Sequence, residues 1–217
     1  MIGDKIVVQS HHIPPAQKIM ELINDEIKKC DGIYFINISG ESGCGKSTLA
    51  IAIEMLLDEK GISSYIFHMD DYFKLPPSSN HKNRLLSLDN VGMIEVNLDL
   101  LQKHIDKIKT GELVIQKPLV HYKDNRIHQI TADLTQVKVV IIEGTYTSIL
   151  GNIDCKIFID RTYKDTYQQR LNRGREDMSD FIESVLEIEH NIIQSHKYLS
   201  RIILDQSYSV SLLSDQC

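Results

Sequence analysis

Residues 40–47 read GESGCGKS, a glycine-rich stretch with the spacing G-x-x-x-x-G-K-S. The apolar run IYFINI at 33–38 precedes it, and STLAIAIEMLLDEK at 47–60, a sequence that favours a helix, follows it. Glycines accept backbone angles that other residues avoid, so successive N–H groups can turn inward around phosphate oxygens at the helix start. This order of strand, loop and helix predicts an α/β fold that binds a nucleotide phosphate.

The residues of this loop have different roles in binding a nucleotide. Lys46 can reach the β- and γ-phosphates, and the Ser47 hydroxyl can ligate Mg²⁺. We therefore expect ATP with Mg²⁺ as the phosphoryl donor, with GTP as the alternative nucleotide. The nucleotide-binding set comprises Gly40, Glu41, Ser42, Gly43, Cys44, Gly45, Lys46, Ser47 and Thr48.

The rest of the chain alternates between strand and helix patterns. Strands are predicted at 64–69, 137–142, 156–159 and 207–212, of which 137–142 and 156–159 have the pattern of buried strands. Helices are predicted at 14–31, 97–111, 162–173 and 181–192. Alternation of this kind predicts a doubly wound parallel sheet of the P-loop NTPase type, in one domain over 1–217. Residues 1–32 are interpreted as an N-terminal strand and helix extension.

Two stretches depart from this alternation. The pattern predicts a polar loop over 74–90 and a β-hairpin over 113–131, and we interpret both as insertions that build a substrate pocket.

Composition narrows the function classes. The 217 residues carry 24 Lys plus Arg against 30 Asp plus Glu, a formal net charge of −6, which argues against a nucleic-acid-binding surface. No apolar run approaches the roughly 18 residues of a membrane span, and the N-terminal sequence lacks the pattern of a signal peptide. We expect a cytoplasmic protein with a small-molecule substrate, no nucleic-acid partner and no membrane partner; a homo-oligomer is compatible with the sequence.

Acidic residues follow two of the predicted strands. Asp70 and Asp71 come directly after SYIFHM, and Glu143 follows VVII. Ligands of open α/β sheets bind beyond the carboxyl ends of the strands, so these side chains would face the bound nucleotide. Glu143 suits a magnesium site, and one of the two aspartates suits the base that accepts the proton of an attacking hydroxyl. The alternative for the aspartate pair is helix capping or a solvated turn.

Three arginines lie close together in QRLNRGRE. Arg170, Arg173 and Arg175 sit at the end of a predicted helix and the start of a glycine-containing turn. Within a lid over 162–180, they could close over ATP and neutralise charge on the transferred phosphoryl group. Alternatively, they are solvated charges that the helix dipole favours.

Taken in order, GESGCGKST, MDDYF, SLDNVG, KPLVHY, VVIIEG, KIFID and QRLNRGRE resemble the uridine kinase and phosphoribulokinase group of P-loop kinases. The resemblance implies that Asp70 is the base and a magnesium neighbour, that Ser47 and Glu143 serve the metal, and that Lys46 contacts the phosphates. It further implies that Asp89 contacts sugar hydroxyls. The acceptor-binding set is then predicted to comprise Asp71, Tyr72, Asp89, Tyr122, Arg126 and Arg175.

The predicted hairpin differs from that of the nucleoside-phosphorylating members. Those carry a Pro-x-Tyr-Asp pattern followed by histidine, whereas Pro118 here is followed by Leu119, Val120, His121 and Tyr122. Val120 therefore takes the tyrosine position, unless the hairpin is shifted so that Tyr122 takes it. We expect a kinase with a uridine- or cytidine-like acceptor, and pantothenate, nicotinamide riboside and a sugar phosphate stay open. A nucleotide-dependent regulatory ATPase and a protein that only binds nucleotide are the competing classes.

Overall fold

The computed structural model describes residues 8–173 and 179–213. The strands are Tyr34–Gly40 (β1), Ser64–His68 (β2), Val114–His121 (β3), Arg126–Asp133 (β4), Val139–Gly144 (β5), Cys155–Ile159 (β6), Ile202–Leu204 (β7) and Val210–Leu212 (β8). The helices are Ile13–Lys29 (α1), Lys46–Asp58 (α2), Pro77–Leu86 (α3), Leu98–Lys109 (α4), Tyr167–Arg173 (α5) and Asp180–Gln194 (α6).

Six strands form the central sheet, in the order β2-β5-β1-β6-β7-β8, while β3 and β4 pair as a separate hairpin. All neighbouring pairs in the sheet are parallel except β7 with β8. The register sets Glu143 opposite both Ile38 of β1 and His68 of β2. The carboxyl ends of β1, β2 and β5 therefore meet at one edge, as the sequence predicts for a mainly parallel α/β sheet.

Helices cover both faces of the sheet. On one face, α1 and α2 bury an apolar stripe that includes Ile19, Ile23 and Leu57. On the other, α4 contributes Leu101 and Ile105 to a second apolar cluster that also takes in parts of the hairpin and of α6. Burial on both faces explains why β1 is apolar almost throughout.

Several predicted elements need correction. The stretch 74–90, predicted as a polar loop, contains the helix α3, which begins at the second residue of the Pro76–Pro77 pair. The helix predicted from 162 begins at Tyr167, and the final strand lies at Val210–Leu212, with the unpredicted strand β7 before it. Residues 8–32 hold helix but no strand, and 1–7 lie outside the described residues.

Among the helices of residues 8–173 and 179–213, none combines the length and the apolar composition that crossing a membrane requires.

Candidate active site

The glycine-rich loop closes tightly between β1 and α2. Gly43 has a φ of 79°, and a Cβ at this position would lie 2.8 Å from Cγ of Arg170, so only glycine fits. Lys46 Nζ donates to the carbonyl oxygen of Glu41 at 2.8 Å, which holds the ammonium across the loop. The loop therefore has the positive-φ glycine that its sequence predicts, and the Lys46 side chain lies across it.

The Glu41 side chain points away from the loop it belongs to. It is 2% exposed, and one of its oxygens accepts the Tyr163 backbone N–H at 2.6 Å. Its other oxygen receives Nε2 of Gln194 at 2.8 Å and lies 2.7 Å from Nδ1 of His190. Both oxygens are therefore engaged with α6 and with the segment after β6, so Glu41 anchors the loop, and only its backbone remains to meet a nucleotide.

Ser47, Glu143 and His68 form a chain of contacts at the sheet edge. The Ser47 hydroxyl donates to Oε1 of Glu143 at 3.1 Å, and the same oxygen lies 2.6 Å from Nδ1 of His68. Burial favours the neutral carboxyl, yet the hydrogen bond and charge of His68, helped by the charge of Lys46, lower the pKa of Glu143 below its ordinary value. Glu143 is thus kept as a carboxylate.

This pair of oxygens fits Mg²⁺, which takes one or two protein ligands and completes its shell with phosphates and water. No group of three or more His, Cys, Asp or Glu residues able to hold a metal occurs in the part of the chain that the structure describes. A magnesium ion would accordingly depend on Ser47, Glu143 and the nucleotide together.

The two neighbouring aspartates have different surroundings. Asp70 follows β2 beside Glu143, and burial together with the Glu143 charge raises the pKa of Asp70. Asp71 is fully buried: Lys117 Nζ lies 2.9 Å from one of its oxygens, and the Val120 N–H donates to the other at 3.0 Å. Asp71 therefore fixes the hairpin to the sheet, whereas Asp70 is half-buried and near enough to Glu143 and Lys46 for their charges to act on its pKa.

The remaining residues predicted to bind the acceptor are spread out. Tyr72 is 1% exposed, and its hydroxyl lies 2.8 Å from Nδ1 of His104 inside the apolar core, which argues against acceptor contact for Tyr72 and, by the same reasoning, for Asp71. Asp89, predicted to contact sugar hydroxyls, is exposed and accepts from the hydroxyl of Ser87 at 3.1 Å. Tyr122 directly follows β3 in the turn of the hairpin and is 38% exposed. Arg126, at the start of β4, is exposed as well.

A buried polar cluster, which we call the Arg84 cluster, was missed by the sequence reasoning. Glu95 is 4% exposed and accepts hydrogen bonds from Asn80 at 2.7 Å, from Arg84 through two nitrogens, and from the Gly92 N–H at 2.8 Å. Arg84 also donates to Glu189 of α6 at 2.9 Å. Asn80 and Arg84 come from the segment predicted to be a loop, and no spacing in the sequence links them to Glu95 or Glu189.

Of the three arginines predicted to form a lid, two lie within the described residues. Arg170 is 5% exposed, packs against Gly43 and donates to the carbonyl oxygen of Tyr163 at 3.1 Å. It therefore buttresses the phosphate-binding loop. Arg173 is the last residue of α5, whereas Arg175 lies outside the described residues.

The fold and this edge of the sheet define a P-loop kinase. A model of the phosphoribulokinase / uridine kinase family matches residues 35–205. The chain belongs to this family, as its motifs indicate.

Curated relatives are distant. The bifunctional alpha-galactosidase/sucrose kinase AgaSK of Mediterraneibacter gnavus is 25% identical over 84% of this chain and 22% of its own length. The phosphoribulokinase of Synechocystis is 23% identical over 72% of this chain and 46% of its own. The uridine kinase of Leuconostoc citreum is 22% identical over 83% of this chain and 93% of its own length. The chain thus spans less than half of the first two relatives.

Solved structures support the fold. A possible uridine kinase from Bacillus stearothermophilus superposes with a TM-score of 0.56 at 20% identity, covering 81% of this chain and 95% of that one. The D-glycerate 3-kinase of Cryptococcus neoformans superposes with a TM-score of 0.67 at 13% identity, covering 91% and 99%. At these identities the likeness concerns the fold alone.

Proposed function

We propose that this protein is an ATP-dependent kinase that transfers the γ-phosphoryl group to a hydroxyl of a small metabolite, with a uridine- or cytidine-like nucleoside as the leading acceptor. The observation that carries the proposal is the difference between two adjacent carboxylates: Asp71 is held in the core by Lys117, whereas Asp70 is half-buried and lies within the electrostatic influence of Glu143. A protein that only binds nucleotide needs no such base.

Each side chain at the edge has a step to perform. The loop N–H groups and Lys46 hold the phosphates, for which the Lys46 ammonium exchanges the Glu41 carbonyl for a phosphate oxygen. Ser47 and Glu143 would hold Mg²⁺, which neutralises phosphate charge when bound. Asp70 accepts the proton of the acceptor hydroxyl while that oxygen bonds to the γ-phosphorus and the bond to the ADP oxygen breaks. Its raised pKa makes the carboxylate a stronger base than an ordinary aspartate.

Acceptors other than nucleosides are the second candidate. The position where nucleoside-phosphorylating members carry tyrosine is Val120, which is 1% exposed and whose N–H is bound by Asp71. Val120 therefore offers no aromatic ring to a nucleobase at this position. Relatives and structural neighbours carry the names sucrose kinase, phosphoribulokinase and D-glycerate 3-kinase. The acceptor panel therefore comprises uridine, cytidine, sucrose, ribulose 5-phosphate, D-glycerate, pantothenate and nicotinamide riboside.

A screen of this acceptor panel tests the proposal. The protein is incubated with Mg²⁺, ATP or GTP, and each compound, ADP or GDP formation is followed, and product mass is determined. We expect one class of acceptor to gain a phosphoryl group and Lys46→Ala to lose this activity. Nucleotide hydrolysis that no panel compound stimulates would favour the regulatory ATPase.

A further inference from the structure

His68 is the last residue of β2, an edge strand of the central sheet, and it contacts the carboxylate that is proposed to hold Mg²⁺. Its Nδ1 lies 2.6 Å from Oε1 of Glu143. The His68 side chain is 22% exposed and that of Glu143 is 7% exposed, so little water competes with the contact. A contact this short and this poorly hydrated holds the Glu143 carboxylate in one orientation.

The register of the sheet explains why His68 meets Glu143. Glu143 is in register with His68 of β2 on one side and with Ile38 of β1 on the other. Neighbouring strands lie about 4.8 Å apart, so the side chains of residues in register lie close to one another. Ile38 is apolar and fully buried and offers no hydrogen bond. Of the two residues in register with Glu143, only the histidine can therefore bond to its carboxylate.

The two oxygens of Glu143 have different surroundings. Oε1 accepts from the Ser47 hydroxyl at 3.1 Å and also meets Nδ1 of His68. Among the residues that the structure describes, no hydrogen bond reaches Oε2, and this oxygen is accessible to solvent. Ser47 would itself ligate the metal, so its contact with Glu143 changes with the ion, whereas the contact of His68 does not. His68 is thus the group that fixes Oε1 while Oε2 stays open to a ligand.

We propose that His68 is a positioning residue for Mg²⁺: its Nδ1–H donates to Oε1 of Glu143 and so holds Oε2 in a fixed orientation for the ion. This inference rests on the proposed kinase function and adds one residue to it. Mg²⁺ demands near-octahedral geometry, so a carboxylate that is oriented in advance binds it more tightly than one that rotates freely. Burial opposes ionisation, yet the His68 hydrogen bond lowers the pKa of Glu143 and keeps the ligand charged. Because Mg²⁺ prefers oxygen ligands, the imidazole serves the carboxylate and not the ion.

The test measures how far Mg²⁺ strengthens nucleotide binding. Calorimetry gives the Kd of AMPPNP and of GMPPNP, the non-hydrolysable analogues of ATP and GTP, in EDTA and in Mg²⁺. The ratio of these Kd values reports how tightly the bound nucleotide holds Mg²⁺, and its measurement needs no acceptor. We expect His68→Ala to lower the ratio about tenfold, with little change of the Kd in EDTA. His68→Asn, whose amide can donate in place of Nδ1, should recover most of the ratio.

His190→Ala is the matched control, because Nδ1 of His190 lies 2.7 Å from Oε1 of another buried glutamate, Glu41. Glu41 anchors the phosphate-binding loop, so His190→Ala should weaken binding of the analogue by the same factor in EDTA and in Mg²⁺. Both variants lose one contact between histidine and glutamate, and only the ratio of Kd values distinguishes them. His68 is half-buried in an edge strand, so alanine there leaves the core intact, which the Tm checks.

The outcomes separate the inference from the proposed function. A ratio in His68→Ala equal to that of the wild type overturns the inference, as does a ratio in His68→Asn no higher than in His68→Ala. A wild type that binds neither analogue, or binds them equally with and without Mg²⁺, overturns the magnesium site and the inference with it. A protein that phosphorylates no panel compound, yet shows the expected loss in His68→Ala, overturns the proposed acceptor classes and supports the inference.

Discussion

The two halves of the cleft are built in different ways. The nucleotide half is one contiguous segment, residues 40–48, whose glycines, lysine and serine occupy fixed positions of a motif. The half proposed to bind the acceptor is assembled from distant parts of the chain: Lys117 of the hairpin lies against Asp71, and Arg84 on α3 donates to Glu189 on α6. Local sequence therefore specifies the first half, whereas only packing specifies the second.

The largest effect should come from the neighbours Asp70 and Asp71, which lie where the halves meet. Asp70→Asn removes the proposed base and should lower kcat about 10²–10⁴-fold, with little change in stability. Asp71→Asn leaves the buried charge of Lys117 without its counter-charge. This substitution should lower the free energy of unfolding by about 3–5 kcal/mol, with far less effect on kcat. Steady-state kinetics and urea denaturation of both variants check this, and the reverse order would show that the base is Asp71.

The next prediction concerns the nucleotide half, where Lys46 carries the charge that contacts the phosphates. Lys46→Ala should lower kcat about 10²–10³-fold, equivalent to about 3–4 kcal/mol of transition-state stabilisation, and leave the Tm near that of the wild type. Lys18→Ala, which removes an exposed ammonium paired with Glu21 on α1, is the matched control. Turnover of Lys46→Ala equal to that of the control would contradict the phosphate-binding role of the loop.

Glu41 tests whether the loop is anchored from behind. Glu41→Gln replaces an oxygen that accepts from the protein by an amide that donates, opposite either the Tyr163 N–H or the Gln194 amide. We expect a loss of about 1–3 kcal/mol in the free energy of unfolding, with weaker ATP binding. Urea denaturation is compared with that of Glu112→Gln, whose partner Lys107 is exposed. Equal free energies of unfolding in the two variants would contradict the anchoring role of Glu41.

The smallest effect concerns the buried histidine beneath the acceptor half. Burial, with the charges of Lys107 and Lys117, lowers the pKa of His104 below its ordinary 6.5. The unfolded chain therefore binds more protons in acid, so this contribution to stability is full above pH 6.5 and is lost as pH falls below it. The loss amounts to less than about 1.4 kcal/mol for each pH unit crossed.

Urea denaturation at pH 7.5, 6.5 and 5.5 measures this effect. The wild type should lose stability on acidification, and His104→Gln should lose less. Equal losses would assign the effect to His12 and His196, whose pKa values burial also lowers.

The sequence predicts the continuously buried strands, and it misses features that depend on residues distant in the chain. Apolar runs predict β1, β5 and β6 because these strands are buried almost throughout, which leaves a continuous apolar pattern. The helix α3 is missed because its single buried residue, Asn80, is polar and bonds to Glu95, so no apolar periodicity marks it. The burial of Asp71 could not be foreseen, since its partner Lys117 is 46 residues away.

The most direct test of the central claim follows the γ-phosphoryl group of labelled ATP in the wild-type protein, with Mg²⁺ and the acceptor found in the panel. The account predicts that label appears in the acceptor in the same amount as ADP is formed, with none in inorganic phosphate beyond the background hydrolysis. Label that accumulates in inorganic phosphate while the acceptor stays unlabelled would contradict it.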